Sequence, residues 1–250
     1  MSRAAAAIGQ SLRTYYAPGR AALLDRHLAR FVGPGSLAFD LGAHVGDRCA
    51  SFRRLGARAV AVEPQPRLAR LLRLLFRHDP DVAVVEALVG ATEGEAVLRL
   101  NTANPTVATA SERFVAAATG APGWEGQHWD ATLPRPVTTL DALIAAHGVP
   151  SFIKLDVEGF EAEALRGLHH PVAALSVEFT TIQRDVAAEC LARLAGLGPY
   201  RFNACLGENT AFRFAEAQDA AAMARWIAAL PHEANSGDLY ASLEPGQVRP

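Results

Sequence analysis

Cysteine is scarce in this chain. Cys49, Cys190 and Cys205 are the only three among 250 residues, and no two of them form a CxxC pair. That excludes a disulfide framework and a cysteine-built zinc site, and the thiols read as reduced. Long apolar runs are missing too: no stretch nears the roughly 18–20 residues that a bilayer-spanning helix needs. The opening residues from Met1 to Ile8 look only superficially like a signal peptide. Their apolar part is short, and Gln10, Arg13 and the paired Tyr15 and Tyr16 follow at once, so a terminal helix is expected. Charge of one sign is lacking as well. Lys plus Arg (24) against Asp plus Glu (26) gives a net −2, which advertises neither a nucleic-acid surface nor an acidic disordered tail. There is no GK[ST] triplet, which excludes a P-loop, and there are no internal repeats and no long linker. These absences leave a cytoplasmic chain with no nucleic-acid or membrane partner, organised as one domain over residues 1–250. Its hydrophobic half is ample for a sizeable core.

What is present is a strand–helix rhythm. Arg20 to Phe31 carries Leu23, Leu24, Leu28 and Phe31 at helical spacing and ends at Gly33-Pro34-Gly35. With the terminal helix it makes a helical extension over residues 1–35. A strand from Ser36 to Phe39, a helix from Gly46 to about Leu55 and a strand from Ala59 to Val62 follow. Then come a helix from Arg67 to Arg77 and a strand from Val82 to Val85. This order argues for an α/β fold with a doubly wound, mostly parallel sheet. After a short strand over Ala96–Leu100 the periodicity fades. Asn101 to Pro136 reads as a substrate or lid insertion, with Trp124, His128 and Trp129 in it, and its tryptophans suggest a flat or apolar surface for the acceptor. Beyond it are a helix capped by Thr138 or Thr139 and a strand from Ser151 to Asp156. A helix over Gly159–Leu168, a strand over Ala173–Phe179 and a helix over about Asp185–Leu197 come next. Tyr200–Ala204 and Ala211–Phe214 are expected to form the antiparallel pair that closes the sheet. A last helix starts at an Asp219 cap and runs to Leu230.

Two constellations carry chemistry. In the first, Phe39-Asp40-Leu41-Gly42-Ala43-His44-Val45-Gly46-Asp47 ends a strand in a glycine turn, and Glu63 stands at the tip of the next strand. Glycine lets backbone approach a nucleoside, and an acid on the neighbouring strand tip takes ribose hydroxyls. The spacing is Asp-x-Gly-x-x-x-Gly, without the third glycine of the dinucleotide fingerprint. A carboxylate beside the ligand repels phosphate and suits a cation, which favours S-adenosylmethionine over NAD. In the second, Ile153-Lys154-Leu155-Asp156-Val157-Glu158-Gly159-Phe160-Glu161 delivers Asp156 and Glu158 to a strand's C-terminal end, where open α/β sheets bind ligands.

The segments FDLGAHVGD, VAVEPQP, TTLDALI and FIKLDVEGFEAEALRGL, in this order, resemble the FkbM-type S-adenosylmethionine-dependent methyltransferases, and Ser236 to Ala241 resembles their closing motif. The likeness runs from about Tyr15 to Leu243, and the KLDVEGFE block is its specific part. It implies a class I methyltransferase fold, Rossmann-like, with seven strands. It further implies that Asp40, Gly42 and Gly46 shape the methionine and ribose side of the pocket, with Ala43, His44 and Pro64 beside them. Glu63 would hold the ribose, Glu86 and Ala87 would border the adenine, and Asp156 would face the methyl-transfer region.

Such enzymes are mostly linked to O-methylation of hydroxyls on natural products or sugars, so a small hydroxyl-bearing acceptor is expected. A hydroxyl benefits from a base. Asp156 leads by position, with Glu178 and His128 as the other catalytic candidates and Glu158 beside them; His44 is read as a cofactor contact. Asp156, Glu158 and Glu178 are hard oxygen ligands, yet nothing in their spacing demands a metal, and none is expected. Two other readings stay open: an adenosyl-binding protein without chemistry, and an NAD-dependent oxidoreductase on a similar sheet. The oligomeric state is open, with a homodimer among the options.

Overall fold

A computed structural model describes residues 3–248; Met1 and Ser2 of the N-terminal stretch and the last two residues lie outside the described part. In chain order the elements begin with α1 (Arg3–Tyr15), α2 (Arg20–Leu28), β1 (Leu37–Leu41), α3 (Asp47–Arg54), β2 (Arg58–Val62), α4 (Pro66–Leu75) and β3 (Val82–Val85). Next come β4 (Leu88–Val89), β5 (Gly94–Leu100), α5 (Glu112–Ala118), β6 (Ala131–Thr138), α6 (Leu140–His147) and β7 (Phe152–Leu155). The chain finishes with α7 (Glu161–Arg166), β8 (Ala174–Thr180), α8 (Arg184–Leu197), β9 (Arg201–Leu206), α9 (Ala220–Ala228) and β10 (Ser236–Ser242).

Seven strands form the main sheet in the order β3-β2-β1-β7-β8-β10-β9. All neighbouring pairs are parallel except those of β10, which is antiparallel to both β8 and β9. The chain winds outward from β1 to β3, then crosses back to place β7 on the other side of β1. The strand order therefore reverses between β1 and β7, and the crevice at their C-terminal ends is where such sheets bind ligands.

Burial explains the two layers. β1 and β7 are buried throughout, as strands covered on both faces must be. One face presents Phe39, Leu41, Val60, Val62, Ile153 and Val177 to Leu140, Leu165, Leu191, Leu194 and Met223 from the α6–α9 layer. The other presents Ala38, Ala59, Ala61 and Ala174 to Leu28, Phe31, Phe52 and Leu72. Asp40 and Lys154 are register partners on that second face, 1% and 3% exposed, in an otherwise apolar layer.

Two expectations are corrected. The segment after Leu100 is not patternless up to Pro136. β6 starts at Ala131 and pairs antiparallel with β5, forming a small three-stranded sheet with β4. Its Pro134 and Pro136 disguise it, but β4 pairs only with Val137 and Thr138, so the prolines sit where one side of β6 has no ladder to lose. The intervening residues 101–130 carry a core of Val107, Phe114, Ala118 and Trp124. Trp129 packs on that core and donates from Nε1 to the Val107 carbonyl at 2.8 Å. The tryptophans therefore hold the insertion together rather than offering a flat acceptor surface. The second correction concerns the sheet edge. β9 pairs with β10, and Ala211–Phe214 forms no strand; it lies beside β9, with Arg213 N donating to the Ala204 carbonyl at 2.8 Å and the Asn203 side chain donating to and accepting from the Phe214 backbone.

The capping expectations hold. Thr139 Oγ1 accepts from Ala142 N and Asp219 Oδ1 from Ala222 N. Among the described residues, no helix is long and apolar enough to cross a membrane.

Candidate active site

The crevice at the β1/β7 reversal is a pocket built from two strand-end turns and the neighbouring tips of β2, β4 and β8. The first turn leaves β1. Gly42 (φ +78°) brings the end of β1 so close to β7 that a Cβ there would lie 1.8 Å from the Asp156 carbonyl oxygen. Gly42 N and Ala43 N both donate to the Val62 carbonyl, at 2.9 and 3.0 Å, which ties the turn to the tip of β2. His44 is left-handed (φ 49°) without being glycine, a conformation that costs energy and collects at functional turns. It turns its N–H to Glu63.

Glu63 is 2% exposed. Its Oε2 accepts from His44 N at 2.9 Å and its Oε1 from Gln65 N at 2.8 Å. Burial pushes its carboxyl up to about 7, against the pull of the two N–H donors. One donor on each oxygen leaves each with a spare lone pair, as a diol of the ribose type requires. Gln65 in turn donates to the Pro105 carbonyl at 2.9 Å, joining this corner to the insertion.

The second turn leaves β7. Asp156 is followed by Glu158 (φ 54°) and Gly159 (φ +83°), two successive left-handed residues. Glu161, 2% exposed at the start of α7, holds this turn: its Oε1 accepts from Val157 N at 3.0 Å and Gly159 N at 3.1 Å. Thr109 of the insertion donates to the Glu158 carbonyl at 2.6 Å. Each of Asp156, Glu158 and Glu178 offers a carboxylate oxygen, and these oxygens all lie within 4.8 Å of one another. Three half-buried carboxylates this close do not all stay ionised. Burial, reinforced by Asp156, holds Glu158 and Glu178 well above the usual range. Asp156 goes the other way. Burial raises it, but Lys154 and Arg48 outweigh burial and keep it ionised. Lys154 Nζ sits 3.1 Å from Asp156 Oδ2 and 2.7 Å from Asp238 Oδ1.

Of the residues singled out from sequence, Gly42, Ala43, His44, Glu63, Pro64, Ala87, Asp156, Glu158 and Glu178 line this pocket. Four expected site residues do not. Asp40 lies beneath it, 1% exposed, with Oδ2 lacking a partner and its carboxyl pushed up to about 7 by burial. Gly46 caps α3 in a left-handed conformation, and a Cβ there would meet Leu72 at 2.6 Å, so it serves packing. Glu86 points away, paired with Arg73 at 2.8 Å and Arg135 at 2.7 Å. His128 is exposed on the insertion, outside the pocket lining. His44 lines the pocket, packs edge-on against Tyr15, and is pushed down to about 4 by burial, which leaves it neutral.

Sequence reasoning passed over Tyr15, Asp47, Arg48, Gln65, Phe160 and Glu208, which also line it. Asp47, Gln65 and Phe160 lie inside the segments already quoted, and Arg48 directly follows one. Tyr15 and Glu208 arrive from α1 and from the loop after β9, and no local pattern marks them.

The residues present fit a sulfonium nucleoside: a cradle at Gly42 that any Cβ would fill, a Glu63 with a spare lone pair on each oxygen, and three clustered carboxylates in the same pocket. The comparisons agree. The model of the FkbM methyltransferase domain matches residues 40–229, and the chain belongs to that family. It is an S-adenosylmethionine-dependent methyltransferase with the class I fold. None of the curated proteins matches it in sequence. Among solved structures it is similar to a TehB-like SAM-dependent methyltransferase from Corynebacterium glutamicum. The identity is 12%, covering 94% of this chain and 96% of that one, with a TM-score of 0.50. It also matches an O-methyltransferase from Bacillus cereus in complex with SAH, at 9% identity over 96% and 91% of the two chains, with a TM-score of 0.46. A precorrin-6Y C5,15-methyltransferase from Geobacter metallireducens matches at 12% identity over 89% and 86%, with a TM-score of 0.41.

Proposed function

We propose that the enzyme methylates a hydroxyl group on a small molecule, and that Asp156 takes the hydroxyl proton. The observation that carries this reading is geometric: of the three carboxylates clustered in the cofactor pocket, Asp156 is the one in contact with a cation, its Oδ2 3.1 Å from Lys154 Nζ, which favours its ionised form over Glu158 and Glu178. An alcohol is barely ionised near neutral pH, so transfer to it needs a proton acceptor in place.

Gly42, Ala43, His44, Glu63 and Ala87 would hold S-adenosylmethionine, with Glu63 on the ribose. Bound there, the cofactor supplies an electrophilic methyl group on a positively charged sulfur. The protein's share is alignment and charge. The β1 and β7 turns fix the reacting groups in one crevice. Glu178, protonated, donates to Asp156 and helps keep it charged. Asp156 accepts the proton as the hydroxyl oxygen forms its new bond to carbon, and Lys154 compensates the carboxylate until then. Glu161 is a positioning residue that pins the turn on which Asp156 and Glu158 sit.

Asp156→Asn keeps the shape and removes the acceptor of the proton. Turnover with a hydroxyl substrate should fall by about 10²–10⁴, while affinity for S-adenosylhomocysteine changes little. The measurement is single-turnover methyl transfer across a hydroxyl panel and a matched amine panel. Transfer to amines alone, or undiminished transfer by the variant, would remove the O-methyl reading.

A further inference from the structure

A second cavity lies behind the first, under α1 and α2. Its walls come from Arg20, Leu23, Leu24, His27 and Leu28, from Arg48 and Phe52, from Lys154, Ser176, Asp238 and Tyr240 on the sheet, and from residues 207–210 after β9. It shares Arg48 and Glu208 with the cofactor pocket. Its floor touches the reaction centre directly, because Lys154 lines this cavity and bonds Asp156, which lines the other.

Three of its lining side chains carry a buried polar atom without a partner: Arg20 Nε, His27 Nε2 and Ser176 Oγ. His27 is 2% exposed and Ser176 0%. Burial pushes His27 down to about 4, so its ring is neutral. Its Nδ1 is taken up by neighbours, 2.8 Å from the Thr210 carbonyl and 3.1 Å from Arg30 Nη1, which leaves Nε2 as the ring nitrogen facing no partner. His27 Nε2 is a free ring nitrogen, Arg20 Nε is a donor, and the Ser176 hydroxyl both donates and accepts. Buried polar atoms are seldom left unpaired, and here they ask for a ligand that both donates and accepts. Hydroxyl groups do both.

The charges choose a neutral ligand. Each cation in the walls already has its carboxylate: Arg20 pairs with Glu208, Arg48 with Asp47 and Glu208, and Lys154 with Asp156 and Asp238. No cation is left over for a phosphate. Leu23, Leu24, Leu28 and Phe52 line the same cavity and give it an apolar part. We infer that this second cavity is the acceptor site, and that it takes a neutral polyhydroxylated ring, with its apolar part against Leu23, Leu24, Leu28 and Phe52 and its hydroxyls on His27, Ser176 and Arg20. One hydroxyl would then reach Asp156 past Lys154. The inference rests on the O-methyl reading for its chemistry, but the location can stand or fall alone.

The test is saturation-transfer NMR on the full chain with S-adenosylhomocysteine added, using D-glucose, N-acetylglucosamine and myo-inositol as probes and glucose 6-phosphate as the anionic comparison. The neutral probes should show transfer. Ser176→Ala removes only an atom that has no partner, and should weaken a binding probe by about tenfold, the worth of one buried hydrogen bond. Leu24→Trp fills the cavity and should abolish the signal. S-adenosylhomocysteine affinity should be unchanged in both variants. No transfer from any neutral probe, transfer from the phosphate alone, or neutral-probe binding that survives both variants would overturn the inference. A probe that binds here yet is never methylated would refute the O-methyl reading and leave the site standing. Hydroxyl methylation undiminished by Leu24→Trp would do the reverse.

Discussion

Replacing Glu63 by alanine should weaken affinity for S-adenosylmethionine and S-adenosylhomocysteine alike, by about 10²–10⁴. Two hydrogen bonds from ribose hydroxyls to a charged acceptor disappear, each worth roughly 1.5–3 kcal/mol. The same carboxylate also accepts from His44 N and Gln65 N. Its loss therefore loosens both turns that meet at the nucleoside, and this adds to the direct loss. Isothermal titration calorimetry measures the effect, with circular dichroism to show that the variant is folded. Unchanged affinity in a folded variant would remove Glu63 from the site.

Lys154→Met should be the most damaging single change to stability. Lys154 is 3% exposed and lies between Asp156 and Asp238. Methionine fills a similar volume but removes the one cation bonded to both carboxylates. Breaking a buried ion pair in this way costs about 3–5 kcal/mol. Urea denaturation should show that loss, and Lys154→Met with Asp238→Asn should recover part of it. The charge also supports chemistry. Without Lys154, Asp156 has lost the main influence that holds it low, so it stays protonated to higher pH. Methyl transfer by any surviving folded variant should accordingly need higher pH. Equal stability of variant and wild type would show that the two carboxylates do not depend on Lys154.

The parts of the site that can be read in the sequence are those where one short segment does one job. Gly42 and Glu63 act through the ends of adjacent strands, and their spacing repeats the strand–helix period that separates β1 from β2. Asp156, Glu158 and Glu161 sit within one turn. The misplacements have physical causes. Asp40 shares a motif with Gly42, but strand alternation sends its side chain into the layer below, beside Lys154. Glu86 ends β3, where two arginines from other elements take it. His128 stands between two tryptophans in sequence, yet those rings turn inward and it does not. β6 was hidden because its prolines are compatible with a strand only when one side is unpaired, and pairing is not a local property. Nor is the second cavity: its walls come from both ends of the chain.

The most direct measurement of the central claim, that the acid cluster of Asp156, Glu158 and Glu178 faces the transferable methyl, is the affinity for S-adenosylmethionine and S-adenosylhomocysteine as pH is raised. The two share the nucleoside and the amino acid and differ by one methyl and one positive charge. A cation favours ionised carboxylates, and Glu158 and Glu178 are held protonated well above their usual range. Binding of the cation must therefore release protons, and its affinity must rise with pH until those groups are ionised. The account predicts that the affinity ratio of S-adenosylmethionine to S-adenosylhomocysteine climbs with pH, and that Glu178→Gln flattens the climb. Parallel pH profiles for the two ligands would contradict it.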